Sequence, residues 1–108
     1  MKRPKRSRLE ELLFWKLRAH ELLDGLVEEF PFLRWRFDFA WYREGVAAEC
    51  EGGTWKGHKG RHTSGIGFQK DCDKYNTATL DGWRVFRFTE YHINSGNAVD
   101  VIREALNR

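Results

Sequence analysis

The sequence predicts a single α/β domain in which a mixed β-sheet is flanked by helices. Two observations predict this fold class. Apolar residues make up 41% of the 108 residues, which is enough to fill one modest core. Their spacing also switches along the chain between a helical period and a strand period. The resulting order of elements is helix, strand, strand, helix, strand, helix, within one domain that spans residues 1–108.

The first helix is predicted to run from about residue 8 to Leu23. Ser7 and Glu10 have the spacing of a capping box, in which each side chain accepts a hydrogen bond from the main chain of the other. Leucine and aromatic residues then recur at helical spacing. Asp24 and Gly25 end or break the helix, and residues 26–30 form either a short helical turn or the lead into the sheet.

The next two elements are predicted to form an antiparallel hairpin. The apolar period changes to two from residue 33, which places one set of side chains on one side of the strand: Leu33, Trp35, Phe37, Phe39 and Trp41. Residues 43–45 form a turn, and residues 46–51 form the second strand. A crossover helix and a third strand follow, and together they imply a mixed sheet.

The remaining elements are predicted from the same change of period. Residues 52–67 form a long glycine-rich loop, of a kind that is usually functional or disordered. Helical spacing returns over Phe68–Leu80, and residues 83–88 form the third strand. A last helix begins at residues 95–97.

Three acidic residues lie in the predicted hairpin, although acids are poor strand formers. Glu49 and Glu51 share a face because they are two residues apart, and Asp38 lies on the less apolar face of its strand. One face is therefore expected to present all three carboxylates. Carboxylate oxygens are the ligands that hard cations such as magnesium take, and a bound magnesium ion assists phosphodiester hydrolysis. The alternative for Asp38 and Glu49 is cross-strand ion pairing with Arg36, Arg84 or Arg87.

Positive charge is concentrated in two clusters, although the formal net charge is only +3. Residues 1–7 form a basic arm, and residues 56–62 form a second basic cluster within the glycine-rich loop. Basic clusters beside an acidic centre suit a polyanionic partner, and solvated surface segments are the alternative.

No apolar run approaches the roughly 18 residues of a membrane span, and the basic N-terminal residues lack the apolar stretch of a secretory signal. We therefore expect a cytoplasmic protein with no membrane partner. Cys50 and Cys72 are expected to be reduced thiols. A zinc site formed by these cysteines with His58 and His62 has a spacing that fits no common zinc pattern.

The spacing of the acids resembles the PD-(D/E)XK nuclease superfamily. Asp38 is followed after ten residues by Glu49-Cys50-Glu51, and the predicted helix and third strand extend the resemblance over roughly residues 8–90. The sequence is most similar to small endonucleases related to very-short-patch repair and Holliday-junction-resolving enzymes, often of phage or prophage. The resemblance implies a restriction-endonuclease-like fold with the order αββαβα. It also implies a magnesium-dependent DNA endonuclease, in which manganese substitutes, in a bacterial or phage-infected cell.

The resemblance also assigns roles to the acidic stretch. Asp38 and Glu49 match the two metal-binding acids, and the Cys50 carbonyl matches the main-chain ligand. Glu51 stands where the superfamily pattern has lysine, and it would add a ligand. Glu10 corresponds to a first-helix glutamate that lies near the metals in some relatives, although the capping box explains this residue equally well.

The missing lysine is expected on the helix that follows, where relatives sometimes carry it. Lys74 is the first candidate for the catalytic lysine, Lys56 the second and Lys70 the third; a solvent-facing side chain is the alternative for Lys74. The residues expected to contact DNA lie in the arm, the loop and this helix: Lys2, Arg3, Lys5, Arg6, Trp55, Lys56, Lys59, Arg61, His62 and Asn76. Tyr75 is expected either in the core or in a hydrogen bond near the site.

One site in one compact domain favours a homodimer for cutting both strands. No separate target-recognition domain is evident, which favours recognition of DNA shape at junctions, mismatches or branches. Two alternatives have the same fold but do not cleave DNA on their own. One is a nucleic-acid-binding module that has lost cleavage, and the other is a subunit that needs a partner protein.

Overall fold

The computed structural model describes residues 5–52 and 65–108, and it confirms an α/β domain with a mixed sheet flanked by helices. The strands are β1 (Leu26–Phe32), β2 (Trp35–Trp41), β3 (Val46–Cys50) and β4 (Arg84–Phe88). The helices are α1 (Arg8–Ala19), α2 (Gly65–Leu80), α3 (Glu90–Asn94) and α4 (Asn97–Leu106). Within these described ranges, no helix is both long and apolar enough to cross a membrane.

The sheet has the strand order β1-β2-β3-β4. The first three strands pair antiparallel, whereas β3 and β4 pair in parallel and are joined through α2. The predicted crossover and mixed sheet are therefore confirmed. They follow from the chain direction, because a parallel partner for β3 is reached only by returning across the sheet.

The described residues form four strands rather than the three that the sequence predicts. Residues 26–30 belong to β1, and α1 ends at Ala19 instead of Leu23. Glu21 and Gly25 have left-handed φ angles of 59° and 78°, which interrupt the helical path before β1 begins. Pro31 lies inside β1 and does not end it, because β1 is an edge strand where a missing N–H group breaks no ladder bond.

Two apolar clusters cover the two faces of the sheet. The larger cluster packs β2, β3 and β4 against α1, α3 and α4, and its fully buried members include Leu13, Phe39, Trp41 and Ile102. The smaller cluster lies on the other face, where Phe37, Ala40 and Ala47 pack with Ala78 of α2. Helices therefore flank the sheet on both sides, and in the described part of the chain the helical residue of the smaller cluster comes from α2.

The alternation predicted for the strand that became β2 is wrong at Asp38. Trp35 and Phe37 belong to the α2 face, whereas Phe39 and Trp41 belong to the opposite face, so the apolar side changes at residue 38. Glu29, which falls opposite Asp38 in the β1–β2 register, has a left-handed φ of 50°. In both strands the apolar side chains therefore change from one face of the sheet to the other at the same place. The residue at that place is Glu29 in β1 and Asp38 in β2.

Replacing Glu29 by glycine is expected to stabilise the fold by about 0.5–1 kcal/mol, because glycine adopts a left-handed φ without the strain of a side chain. The same change at Glu28 is the matched control. Glu28 has no positive φ and binds Arg6, so Glu28→Gly is expected to lower the free energy of unfolding. Urea denaturation of both variants measures this, and a loss of stability at both positions would contradict the strained reversal.

Candidate active site between two strands and a helix

Asp38 and Glu49 meet where the main-chain pairing of β2 and β3 stops. The ladder extends from Trp41 opposite Val46 to Phe39 opposite Ala48. Next to it, the N–H of Asp38 donates to Glu49 Oε2 at 2.8 Å. The N–H of Cys50 donates to Asp38 Oδ2 at 2.9 Å. Each carboxylate thus satisfies an N–H group of the neighbouring strand, which is how two acids are accommodated in the sheet.

Burial disfavours the ionised forms of these two acids. It raises the pKa of Asp38 to about 6, the N–H of Cys50 opposes that rise, and the carboxyl group of Glu10 adds to it. Burial also raises the pKa of Glu49, the nearby charge of Asp38 raises it further, and the ammonium group of Lys74 lowers it. Two like charges held this close and this far from water favour an additional cation.

Lys74 reaches the acid pair from α2. Its Nζ lies 2.5 Å from Glu49 Oε1, and its side chain is only 13% exposed, so it does not face solvent. The hydroxyl group of Tyr75 donates to the same oxygen at 2.9 Å, which confirms the predicted hydrogen bond near the site. The helix on which the lysine was expected therefore places that lysine directly on one of the two acids.

Glu51 is directed to a different partner. The Nε and Nη2 atoms of Arg87 donate to its two carboxylate oxygens at 3.2 and 3.1 Å. The same guanidinium group lies 4.4 Å from the centre of the Tyr75 ring. Glu51, which the resemblance assigned to the metal, is therefore held in an ion pair with Arg87. Among the described residues, no group of three or more His, Cys, Asp and Glu side chains is arranged to hold a metal ion.

Glu10 forms the capping box that the sequence predicted, and it also lies near Asp38. Its side chain accepts the N–H of Ser7 at 3.1 Å while its own N–H donates to the Ser7 hydroxyl, which confirms the capping box. Its carboxyl group also lies close enough to Asp38 to raise the pKa of that residue. On the other side of Asp38, Arg36 Nη1 lies 3.0 Å from Oδ1. The first turn of α1 therefore adjoins the acid pair.

The other predicted site residues have no contact with the acid pair of the kind that Lys74 makes, or they lie outside the described residues. Cys50 and Cys72 are both free, and Cys50 contributes a partly buried side chain to the larger apolar cluster. Lys5, Lys70 and Asn76 are exposed. Residues Lys2, Arg3, Trp55, Lys56, His58, Lys59, Arg61 and His62 lie outside the described residues.

Arg6 is built into the fold, whereas the sequence placed it in a free basic arm. Its guanidinium group donates to both oxygens of Glu28 at 2.7 and 2.9 Å and stacks 3.7 Å from the centre of the Phe14 ring. The side chain is only 6% exposed, because β1 and α1 enclose it. Arg6 thus joins the start of α1 to the edge strand and is not presented to DNA.

The sequence offered Arg87 as a possible ion-pair partner of Asp38 or Glu49, but its pairing with Glu51 was not predicted. In the parallel β3–β4 register it lies beside Glu49, and Glu51 lies two residues further along the same face. The alternation of residues 83, 85 and 87 indicates that they share a face. Only the register, however, shows which β3 residues that face meets.

Comparison with models of known families, with curated proteins and with solved structures finds no match to this chain. The site is therefore interpreted from its own geometry. The buried Glu49 and the partly buried Asp38, Lys74 and Tyr75 converge between β2, β3 and α2, and the Glu51–Arg87 ion pair lies beside them.

The free energy of unfolding of the metal-free protein is expected to fall as the pH rises from about 4 to 6. The pKa of Asp38 is raised in the fold, so the folded state holds a proton that the unfolded state has lost in this window. The decrease is on the order of 2 kcal/mol, and Asp38→Asn should reduce it. Asp100→Asn, at an exposed site on α4, is the control. Denaturation in a chelator measures the effect, and identical pH profiles for both variants would contradict it.

Proposed function

We propose that this protein is a metal-dependent DNA endonuclease with the restriction-endonuclease-like fold. The observation that carries the proposal is the convergence of Asp38, Glu49 and Lys74, with the lysine ammonium 2.5 Å from Glu49. These are the two acids and the displaced lysine that the resemblance implies. An ordinary surface lysine has no reason to bury its charge at this place.

The order of the elements also supports the proposal. α1, β2, β3, α2, β4 and a C-terminal helix follow one another in the order αββαβα, with β1 added ahead of β2 at the sheet edge. Glu49 lies next to the last residue of β3, and Asp38 lies in the middle of β2, where the pairing of the two strands stops. Lys74 of α2 and Glu10 of α1 both adjoin this place, so the acids lie between two helices.

The residues of the site fit a magnesium ion. Asp38, Glu49 and the Cys50 carbonyl would hold it, since all three offer the oxygen ligands that hard cations take. Burial raises the pKa values of both acids, and a divalent cation beside them would favour their ionised forms. Magnesium commonly uses only one or two carboxylates and completes its shell with water and phosphate. When bound, it would polarise the phosphate and lower the pKa of a bound water molecule.

The surrounding side chains have distinct tasks in this proposal. Lys74 supplies a fixed positive charge for the attacked phosphate and orients the attacking water. Tyr75 holds the carboxylate of Glu49 in one orientation. Arg87 neutralises Glu51 and leaves 40% of its own side chain exposed, so the net charge beside the site does not repel a phosphate. A homodimer would provide one such site for each DNA strand.

A binding module without cleavage is a second candidate, because each of the three acids already has a cationic partner. Arg36 binds Asp38, Lys74 binds Glu49 and Arg87 binds Glu51. Such pairs satisfy the acids without a metal. A subunit that depends on a partner protein would share this arrangement.

Cleavage of duplex, mismatched, flap, single-stranded and four-way DNA in magnesium tests the proposal. Asp38→Asn, Glu49→Gln and Lys74→Met are each expected to slow cleavage by at least about a hundredfold, the typical effect of losing one stabiliser of the transition state. Asp100→Asn on the exposed side of α4 should cut as the parent does. Branched or mismatched DNA is expected to be cut in preference to the perfect duplex.

Two results would contradict the proposal. Cleavage by Asp38→Asn at the parental rate would remove the acid pair from catalysis. Binding to DNA with no cleavage in magnesium or manganese would select the binding module, and activity that appears only with a second protein would select the subunit.

Metal binding has a readout that does not depend on cleavage. A magnesium concentration of about 100 times Kd should stabilise the parent by about 2.7 kcal/mol and raise its Tm. Asp38→Asn should lose most of this stabilisation, whereas Asp100→Asn should keep it. Thermal unfolding with and without magnesium measures the difference, and an equal Tm for the parent in both conditions would argue against the metal site.

A further inference from the structure

A groove lies between the turn that joins β1 to β2 and the first turns of α2. Its volume is about 570 Å³, within the range of pockets that hold small organic ligands. The residues that line it are Arg34, Trp35, Ile66, Gln69, Lys70 and Asp73. Two cations face one acid in this lining, so the groove favours an anionic ligand that also has an apolar part.

The wall of the groove on β2 is a layered stack. The Arg34 guanidinium lies 4.2 Å from the centre of the Trp35 ring. On the other side of the strand turn, Trp35 stacks on Phe32 with ring centres 6.0 Å apart and an angle of 23° between the planes. Phe32 is itself buried, so it fixes the orientation of Trp35. Ordered aromatic and guanidinium planes of this kind are the surfaces on which unpaired bases stack.

The wall on α2 leads directly to the acid pair. Lys70 and Lys74 are four residues apart and therefore share one face of the helix, about 6 Å apart along its axis. Lys70 is exposed at the groove, whereas Lys74 binds Glu49. Phe37 connects the two places, because it stacks on Phe32 and lies beneath Lys74 Nζ. A phosphate bound at Lys70 would thus lie one helical turn from the site.

We propose that this groove binds an unpaired nucleotide of a DNA strand, with its base against Arg34 and Trp35 and its phosphate at Lys70. The choice of DNA as ligand rests on the proposed function. A base in a duplex is already stacked between its neighbours and cannot reach this surface unless it leaves the helix. The groove therefore selects DNA whose strand is unpaired next to the bond at the acid pair, as in a flap, a mismatch or a junction.

Fluorescence anisotropy with a labelled oligothymidylate of about ten nucleotides, in a chelator, tests this binding separately from cleavage. Trp35→Leu is expected to weaken binding at least about fivefold without changing its salt dependence, because stacking carries no charge. Lys70→Ala should weaken binding and reduce the slope of log K against log salt by about 0.7, which is the release of one counterion from a single strand. Arg108→Ala removes the same charge at the end of α4 and is the control.

The outcomes separate this inference from the nuclease proposal. Parental affinity in Trp35→Leu, Arg34→Ala and Lys70→Ala would overturn the groove as a DNA site, whether or not the protein cleaves. An equal loss of affinity for a perfect duplex would overturn the preference for unpaired bases. Loss of oligothymidylate binding in these variants, with circular dichroism like that of the parent, would support the groove even if no cleavage is ever observed. Arg34 and Lys70 are exposed, so their variants give a result even if Trp35→Leu is poorly folded.

Discussion

The rest of the site depends on two hydrogen bonds between β2 and β3 in which a side-chain carboxylate, rather than a main-chain carbonyl group, accepts an N–H group. In an uninterrupted ladder, the N–H groups of Asp38 and Cys50 would have main-chain carbonyl acceptors. Here side chains accept both bonds, so the acids are fixed by the sheet itself. Their positions are therefore as rigid as the strands, which is the precision that a catalytic or metal-binding site needs.

That rigidity is obtained at the expense of stability. Two carboxylates with raised pKa values adjoin each other, and a left-handed residue in β1 lies opposite one of them. Such local costs are typical of functional sites, and they persist only where the surrounding structure stabilises them. The stabilisation here comes from Lys74 and Tyr75 on α2 and from the apolar clusters on both sheet faces. Substitutions that remove one of these carboxylates are therefore expected to change the stability of the fold and the activity of the proposed site in opposite directions.

Residue spacing and the order of elements along the chain predicted several features of this fold correctly. The capping box at Ser7, the crossover through α2 and the mixed sheet follow from spacing and chain order, and Lys74 lies on the acid pair where the resemblance expected a lysine. Features set by tertiary context escaped prediction. Pro31 is tolerated because β1 is an edge strand. The apolar side chains of β1 and β2 change faces at Glu29 and Asp38, so a prediction that assumes continuous alternation fails there.

The pairing of Glu51 with Arg87 shows why the third acid was the hardest to interpret. The distance along the chain is 36 residues, and only the parallel register of β3 and β4 brings the two together. Among the described residues, each of the three acids has an arginine or lysine partner, and these cations differ in exposure. Lys74 is enclosed, whereas Arg36 and Arg87 keep 51% and 40% of their side chains in solvent. The enclosed Lys74 ammonium group is fixed at the acid pair, whereas the exposed guanidinium groups of Arg36 and Arg87 can also contact groups outside the protein. In the proposed function, this difference would let the sheet hold its acids in place and still accept the phosphates of a DNA strand.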